Sequence, residues 1–449
     1  MEKKYERVIK YVEKLIESNQ LKQGERLPSI RLMADKLKCN KATIIRAYDE
    51  LVMNHKLYTI PKSGYYLVET NKSGKEESKL IDFSEAIPDP RLLPYKEFNH
   101  CINKAVETYR DSLFLCTETQ GMQSLRKVLQ DHFSEYQVFT TEEKIFITSG
   151  SQQALSILSN MSFPNDKKNI LVEQPTYRLM QDMALLNGNK LIGIKRNFHG
   201  IDLKELEKLF KQESIKFFYT IPRFHNPLGT SYSEKEKMKI VELAQKYDVY
   251  IVEDDYFIDI ETNRKALPLY YYDTSKKVIY IKSFSKTFMP GIRIGAVVLH
   301  DHLKDEFFEH KRCHDQSTSV LAQGALEIFI NSGMYKNHVR KIQREYEKKM
   351  ACLRELLKTK SIEGMEYFVP TTGFFIWVKL PPELNVNILA RRLKEKNILI
   401  STAKEFLTVK QLDENSFRIA ISHLSIDQIR YGLKTVFEEI KDYACLRVQ

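Results

Sequence analysis

The stretch Ser283-Phe284-Ser285-Lys286-Thr287-Phe288-Met289-Pro290-Gly291-Ile292-Arg293-Ile294-Gly295 is the most informative part of the chain. Lys286 comes just after a strand-like run, and Arg293 follows seven residues later. A lysine that forms a Schiff base must be partly desolvated and close to other cations, because only its neutral amine attacks. Phosphate groups are well held by Arg and Ser side chains that lie close together. The stretch therefore predicts a reactive lysine beside a phosphate site.

Around this stretch, strand-like runs recur with helical segments between them, which is typical of an α/β fold. The runs are Ile145–Thr148, Ile170–Glu173, Phe217–Thr220, Tyr250–Glu253, Val278–Ile281 and Ala296–Leu299. In such sheets, ligands bind at loops where strands end. Polar motifs that follow these runs are therefore candidates for one shared site.

Four further motifs follow strands of this set. They are Thr148-Ser149-Gly150-Ser151-Gln152-Gln153-Ala154-Leu155, Pro175-Thr176-Tyr177, Asn226-Pro227-Leu228-Gly229 and Glu253-Asp254-Asp255-Tyr256. The first is a small-residue turn at a helix start, where free N–H groups and the helix dipole favour a phosphate. Tyr177 offers a ring that could stack on a heterocycle, and Asn226 offers an amide held in a turn. The paired acids could equally bind a metal, but no His lies in register with them, so we expect no metal site.

These five motifs, in this order, resemble those of the fold type I aminotransferases, and the resemblance extends from about Ile81 to the C-terminus. It implies pyridoxal 5'-phosphate (PLP) as cofactor. It also implies an α/β large domain within residues 81–449 and a smaller α+β domain at about residues 320–449. Lys286 is the implied catalytic residue, which bonds covalently to PLP, and Asp254 would pair with the pyridine nitrogen. Because relatives space this acid and the tyrosine differently, the sequence leaves open whether Asp254 or Asp255 has that role.

The resemblance also implies the remaining ligand contacts. Tyr256 and Asn226 would hydrogen-bond the ring oxygen, and Tyr177 would stack on the ring. The phosphate would be held by Gly150, Ser151, Gln152, Ser283 and Arg293. Gly373-Phe374-Phe375-Ile376-Trp377 and Ser416-Phe417-Arg418-Ile419-Ala420 resemble strands of the small domain. Arg418 is then the expected clamp for a substrate or effector carboxylate, because a guanidinium fork matches a planar carboxylate.

The first 68 residues have a different character. Residues 1–67 hold 14 Lys and Arg against 8 Asp and Glu, so more than half of the net charge of +11 lies there. Such asymmetry suggests a polyanionic partner. Apolar spacing predicts an amphipathic helix over residues 3–18 and a second helix that begins after Ser29 as N-cap. A third helix begins after Asn40, with a buried side made of Ile44, Ala47, Tyr48 and Leu51.

Two β-rich runs, Leu57–Ile60 and Tyr65–Val68, follow these helices and are joined by the turn Pro61-Lys62-Ser63-Gly64. The order helix-turn-helix and hairpin predicts a mainly α, winged helix-turn-helix domain. The stretch from Gly24 to Tyr66 resembles the GntR family of winged-helix regulators. Its DNA contacts would fall on Arg31, Asn40, Lys41, Thr43, Lys62 and Gly64. In the middle of the recognition helix, where several relatives carry an Arg, this chain has Ile45 followed by Arg46, a further candidate, and which of the two faces the groove stays open.

Residues 69–80 are predicted to be a linker, because Glu69 through Lys79 include no apolar residue. No apolar run approaches the roughly 18 residues of a membrane span, and the charged first residues resemble no export signal, so we expect a cytoplasmic protein without membrane contact. The six cysteines are scattered without metal-like spacing and are expected to be reduced.

The fusion of these two families in this order is the pattern of the MocR/GabR regulators. The resemblance implies a homodimer that binds double-stranded DNA and responds to an amine or amino acid, or to PLP itself. The alternative is a PLP-dependent aminotransferase that acts on an amino acid and carries an accessory N-terminal domain. The basic wing favours the regulator, since a mere extension would need none.

Overall fold

The computed structural model describes residues 4–18, 20–21, 24–53, 56–60, 63–68, 80–115, 118–263, 265–358, 362–408 and 415–448. The chain divides into two compact units, residues 1–78 and 79–449, called here the head and the body. The predicted linker at residues 69–80 lies, apart from Leu80, outside the described residues. The same is true of Lys62 in the predicted wing turn.

The described elements of the head are α1 (Lys4–Glu17), α2 (Ile30–Leu37), α3 (Lys41–Met53), β1 (Leu57–Ile60) and β2 (Gly64–Leu67). Both helix-turn-helix segments begin at the expected caps. The Oγ of Ser29 accepts the backbone N–H of Leu32 at 3.3 Å, and Oδ1 of Asn40 accepts that of Thr43 at 2.8 Å. These bonds satisfy donors that the first turn of a helix cannot pair internally.

The core of the head lies between the three helices and the hairpin. Ile44, Ala47, Tyr48 and Leu51 form the buried side of α3, as their spacing predicts. Strands β1 and β2 pair antiparallel, with Leu57 opposite Leu67. The segment before α2 also bonds to β2, because the N–H of Leu27 donates to the carbonyl of Tyr65 at 2.8 Å. The wing is thus attached to the start of the helix-turn-helix.

The body alternates strands with helices. Its described strands are β3 (Ile81–Asp82), β4 (Ile145–Thr148), β5 (Asn169–Gln174), β6 (Leu191–Asn197), β7 (Gly200–Ile201), β8 (Ile215–Thr220), β9 (Tyr250–Asp254), β10 (Val278–Ser283), β11 (Gly295–Val298), β12 (Glu366–Phe368), β13 (Phe375–Lys379), β14 (Ile398–Leu399), β15 (Ser401–Thr402) and β16 (Ser416–Ala420). Its described helices are α4 (Tyr95–Tyr109), α5 (Asp111–Leu115), α6 (Gln123–Ser134), α7 (Ser151–Asn160), α8 (Arg178–Leu186), α9 (Leu203–Gln212), α10 (Glu234–Lys246), α11 (Leu269–Tyr272), α12 (Asp301–Asp315), α13 (Val320–Asn331), α14 (Met334–Lys358), α15 (Val386–Glu395) and α16 (Ile426–Val448).

The large sheet has the strand order β4-β11-β10-β9-β8-β5-β6-β7. Its central strands, from β10 to β6, are parallel to their neighbours, whereas β11 runs antiparallel to both β10 and β4. Alternate residues face opposite sides, so that Val252 packs in one apolar cluster and Ile251 in another. Because both faces are covered, these strands are continuous apolar runs, which is why they could be predicted.

A smaller antiparallel sheet, in the order β12-β13-β16-β15, completes the body. Next to it β14 pairs in parallel with β3, so that Ile81 and Phe83 enter the same apolar cluster as the C-terminal half of α14 and α16. The small-domain boundary expected near residue 320 stays a prediction, because residues 79–449 form one compact unit. Helix α13 packs with α4 and α6 in a cluster of the large domain, and the change from one cluster to the other occurs within α14.

Candidate functional site

A cavity of about 450 Å³ lies where the central strands of the large sheet end. The body residues predicted to contact ligands line it, except Gly150, which adjoins it beside Arg293. The predicted residues in the lining are Ser151, Gln152, Tyr177, Asn226, Asp254, Tyr256, Ser283, Lys286, Arg293 and Arg418. The large sheet and β16 of the small sheet thus bring together groups that lie up to 267 residues apart in the chain, from Ser151 to Arg418.

Lys286 is held at the wall of this cavity. Its Nζ donates a hydrogen bond to the carbonyl of Ala86 at 2.5 Å. Burial, with the nearby positive charges of Arg418 and Arg293, lowers the pKa of Lys286 to about 8. At pH 7, roughly one amine in ten is then neutral, compared with fewer than one in a thousand for an ordinary lysine. The site therefore favours a nucleophilic amine.

Asp254 and Asp255 differ sharply in their surroundings. Asp254 lines the cavity, its Oδ2 accepts the hydroxyl of Tyr219 at 2.9 Å, and its buried Oδ1 has no hydrogen-bond partner among the described residues. Burial raises the pKa of Asp254 to about 7. Asp255 instead forms a buried ion pair with Arg223 and accepts the hydroxyl of Tyr280 at 2.9 Å. Only Asp254 has a free oxygen suited to a protonated ring nitrogen.

The start of α7 forms an anion cradle. Its N-cap is Gly150, which has φ of +82° and no side chain with which to cap the helix. The positive φ favours glycine here, and without a side chain Gly150 also lets Nη2 of Arg293 approach, since a Cβ would lie 2.9 Å from it. Arg293 also donates to the carbonyl of Ser149 at 3.2 Å and lies across from Ser283 in the lining. Free N–H groups, a guanidinium and hydroxyls together suit a phosphate.

Tyr177, Tyr256 and Asn226 have partners within the protein. The hydroxyl of Tyr177 accepts Nε2 of Gln152 at 3.1 Å, and that of Tyr256 donates to the carbonyl of Phe224 at 2.7 Å. Oδ1 of Asn226 accepts Nη1 of Arg418 at 2.9 Å. Asn226 therefore links the predicted cofactor residues to the predicted carboxylate clamp.

Arg418 lies on β16 of the small sheet and is nearly buried, with 6% of its surface exposed. Its guanidinium packs over the rings of Phe375 and Phe406 at 4.7 and 4.8 Å and donates to the carbonyl of Ser84. Its Nε is buried without a hydrogen-bond partner among the described residues, and burial lowers its pKa to about 10. Among the described residues its hydrogen bonds go to neutral oxygens, while the carboxylates of Glu405 and Asp82 act on it only through their charge, so the guanidinium suits an anion.

In the head, Arg31 and Lys41 are exposed at the starts of α2 and α3. Oδ1 of Asn40 accepts both the N–H and the hydroxyl of Thr43, so these two residues, which are predicted to contact DNA, are hydrogen-bonded to each other. Gly64 opens β2, whereas Lys62 lies outside the described residues. The guanidinium of Arg46 lies 4.3 Å from the ring of Tyr5 on α1.

The packing of Arg46 bears on the choice that the sequence leaves open. Both residues are exposed, Ile45 with 39% of its surface, but the guanidinium of Arg46 also packs on Tyr5 of α1. Whether either residue contacts DNA stays a prediction. Arg26, which no motif of the sequence indicated, lies against Gly64, where a Cβ would be 3.2 Å from its Nε.

The body also contains site residues that the motifs did not reveal. Tyr219 holds Asp254 from the neighbouring strand β8, and strand alternation in the predicted run Phe217–Thr220 could have indicated it. Ser84 and Ala86 contribute only backbone carbonyls, which leave no signature in the side chains. Within the part of the chain that the structure describes, every helix is too short or too polar to cross a bilayer.

The fold and the cavity together define a winged helix-turn-helix domain joined to a fold type I aminotransferase-like domain, as the sequence predicted. Residues 90–436 match the family described as aminotransferase class I and II, and residues 4–67 match the bacterial regulatory proteins of the gntR family. The chain belongs to the aminotransferase class I and II family and, by its gntR-type head, to the MocR-type fusions within it.

Relatives of both kinds are found. The uncharacterized HTH-type transcriptional regulator YcxD of Bacillus subtilis is 43% identical over 97% of this chain and 100% of its own length. Aromatic-amino-acid aminotransferase 1 of Thermococcus litoralis is 27% identical over 82% of this chain and 89% of its own. The Pyrococcus horikoshii kynurenine aminotransferase, solved with PMP, superposes with a TM-score of 0.76 at 27% identity, covering 82% of this chain and 92% of its own.

Proposed function

We propose that the protein is a DNA-binding transcription regulator in which the body holds PLP and senses an amine or amino acid, or PLP itself. One observation carries this proposal. The same chain contains a gntR-type head and a cavity in which a reactive-type lysine, an unpaired carboxylate oxygen and a buried arginine converge.

The residues of the cavity suit PLP. Asp254 would keep the pyridine nitrogen protonated through its free Oδ1, and the start of α7 with Arg293 and Ser283 would hold the phosphate. When bound, PLP supplies an electrophilic carbon and a ring that withdraws electrons. Lys286, poised by its lowered pKa, would provide the attacking amine and would return the proton that it takes up.

The effector proposed here carries an amino group and an acid group. The amine follows from Lys286, because a cofactor bound to one amine exchanges naturally with another. The acid follows from Arg418, whose buried guanidinium has Nε unpaired and neutral oxygens as its hydrogen-bond acceptors. The rings of Phe375 and Phe406, 4.7 and 4.8 Å from the guanidinium of Arg418, lower the local dielectric and so strengthen its attraction for a carboxylate.

DNA would be bound by the head through phosphate and base contacts. The exposed cations Arg31 and Lys41 stand at the N-termini of α2 and α3, where the helix dipoles add positive potential. Arg26, beside Gly64 at the wing, would add a further phosphate contact. Such binding should weaken steeply as salt increases.

A homodimer forms part of the proposal. On α5, Phe114 is 65% exposed and Leu115 is 77% exposed, which places two large apolar side chains side by side on the surface. Subunit interfaces bury apolar patches of this kind. Light scattering should give twice the chain mass, and Phe114→Asp with Leu115→Asp should give monomers. A monomeric unmodified protein would contradict this part of the proposal.

The decisive experiment selects DNA fragments retained by the purified protein and then measures operator affinity in three forms. These are the protein without PLP, with PLP, and with PLP plus each member of an amino acid panel. An affinity that changes with one amino acid supports the sensor, since only a ligand with unequal affinity for two states shifts them. If PLP alone gives the full change, the protein reports PLP supply instead. A head-deleted protein that still binds the operator would contradict the proposal that the head binds DNA.

The second candidate function is amino acid transamination. One observation favours it. Lys286, Asp254 and Arg418 line a single cavity, and the other body residues predicted to contact ligands either line the same cavity or, in the case of Gly150, lie beside it. Rapid turnover of an amino acid with a keto acid, with no response of operator binding, would establish this function in place of the first.

A further inference from the structure

Residues 84–88, called here the crossing segment, form one wall of the cavity. Ser84, Ala86, Ile87 and Pro88 line it. Two backbone carbonyls of the segment accept hydrogen bonds from the two cations that the proposed function requires. Ser84 O accepts Nη2 of Arg418, and Ala86 O accepts Nζ of Lys286 at 2.5 Å. The segment thus accepts hydrogen bonds from the same groups, Arg418 and Lys286, that would bind the acid group of an effector and the cofactor.

Both ends of the crossing segment are fixed. On its amino side Phe83 is fully buried, and its carbonyl accepts the N–H of Ala420 at 2.8 Å. On its carboxyl side Asp89 is buried and bonds to Nζ of Lys349 at 2.8 Å. Between these anchors, Glu85 and Ile87 are exposed. Movement of the segment is therefore confined to the residues between the anchors.

The position of the segment in the chain gives it a second property. Leu80 is the first described residue after the predicted linker, and the crossing segment begins four residues later. In sequence, this is the part of the cavity wall nearest to the head. It is therefore joined to the DNA-binding domain by fewer residues of the chain than any other part of the cavity lining.

We propose that the carboxylate of an amino acid takes Arg418 from the carbonyl of Ser84 and so releases the crossing segment, and that this release is the signal passed to the head. The proposal rests on the proposed function and adds its regulation. The bond to the Ser84 carbonyl leaves the buried charge of Arg418 in place, whereas a carboxylate neutralises that charge and can accept two parallel N–H bonds, so the exchange is favourable. An amine without a carboxylate has no group with which to displace Ser84.

Asp82 offers a way to test the restraint while both cations are kept, although the charge of its carboxylate also acts on Arg418 and raises the pKa of that residue. Its Oδ1 accepts the N–H of Ser84 at 2.7 Å, the hydroxyl of Ser84 at 2.6 Å and the N–H of Glu85 at 3.3 Å. Asp82→Ala therefore loosens the start of the segment. Glu85→Ala is the matched control, because it removes a carboxylate that is exposed and three residues away.

The experiment measures hydrogen–deuterium exchange in the full-length, PLP-loaded protein, together with operator affinity. The probes are an amino acid that changes the cofactor absorbance and the amine formed by removing its carboxyl group. With the amino acid, exchange at residues 84–87 is expected to rise about fivefold or more, and operator affinity to change by a similar factor. The amine is expected to change the absorbance alone.

Asp82→Ala is expected to show the fast exchange without any ligand, and Glu85→Ala to match the unmodified protein. The proposal is overturned if the amino acid changes the absorbance while exchange at residues 84–87 stays constant, or if the amine releases the segment equally well. Those results leave the proposed function standing. If no probe changes the absorbance, the amino acid branch of the proposed function fails, and this proposal with it, while sensing of PLP itself is left as the function.

Discussion

The head and the body use their cations in opposite ways. In the head, Arg31 and Lys41 are exposed at helix starts, where they remain fully hydrated. In the body, Arg418 and Lys286 are buried, and burial lowers the pKa of both. An exposed cation suits a long polyanion that is read by many weak contacts, whereas a buried one suits a small ligand that must replace its missing solvation. The contrast predicts that each region can be disabled without the other.

The largest expected effect is the loss of cofactor attachment in the body, with DNA binding by the head unaffected. Lys286→Ala should abolish covalent attachment of PLP completely, because no other amine occupies that position. Absorbance and borohydride labelling followed by peptide mapping would measure it. Lys404→Ala, an exposed lysine next to the cavity residue Glu405, is the control and should keep the label. Labelling at another lysine in the unmodified protein would contradict the assignment.

A second test separates the two neighbouring acids. Asp255→Ala leaves Arg223 as a buried unpaired charge and should lower the free energy of unfolding by about 3–5 kcal/mol. Asp254→Asn should lower the free energy of unfolding far less, because burial already disfavours the charged form of Asp254. The same substitution should nevertheless alter the absorbance of the bound cofactor. Urea denaturation of the PLP-free proteins compares them. Equal losses of stability would show that the two acids do not differ in this way.

In the head, Arg31→Ala and Lys41→Ala should each weaken operator binding by about 1–3 kcal/mol. For a residue that contacts a phosphate, the slope of log affinity against log salt should fall by about 0.9. The same variants should bind PLP normally. Lys14→Ala, an exposed lysine at the end of α1, is the control and should leave the salt slope unchanged.

The pKa of Lys286 predicts how cofactor attachment depends on pH. Because the pKa is lowered to about 8 and only the neutral amine attacks, the attachment rate should rise about tenfold per pH unit below 8 and level off above it. Arg418→Ala removes one of the positive charges that lower this pKa, so its midpoint should move to higher pH. Stopped-flow absorbance from pH 6 to 9 measures both. An unmoved midpoint would mean that burial alone sets the pKa.

The smallest expected effect concerns the N-cap of the recognition helix. Asn40→Ala should destabilise the first turn of α3 by about 1 kcal/mol, and its amides should exchange roughly fivefold faster. Asn40→Asp keeps the capping oxygen and should exchange at the original rate. Unchanged exchange in the alanine variant would indicate that packing of α3 alone holds the turn.

Sequence predicted best what depends on local pattern. The strands of the large sheet are recognisable because helices cover both faces, and the caps Ser29 and Asn40 because short polar side chains satisfy helix starts. The packing of Arg46 could not be predicted in this way. Its partner Tyr5 lies 41 residues earlier, and helical spacing alone does not identify a contact with another helix. The carbonyls of Ser84 and Ala86 were invisible, because every residue has one.

The boundary of the small domain is difficult to predict from sequence for a related reason. The apolar pattern of α13 indicates that one side of the helix is buried, but it does not indicate which sheet that side packs against. Likewise, nothing local indicates that β3 pairs with a strand more than 300 residues further along the chain. Long-range pairings of this kind depend on the whole tertiary arrangement.

The pairing of β3 with β14 also has a consequence for the order of events during synthesis. Ile81 is made directly after the head, but its strand partner Ile398 is made 317 residues later. At the rates typical of ribosomes, about 5–20 residues per second, this is a delay of roughly 15–60 s. During that interval the head has its full sequence, while the carbonyl of Ser84 still awaits Arg418. Each new copy can therefore acquire its DNA-binding domain before it acquires the means to regulate it.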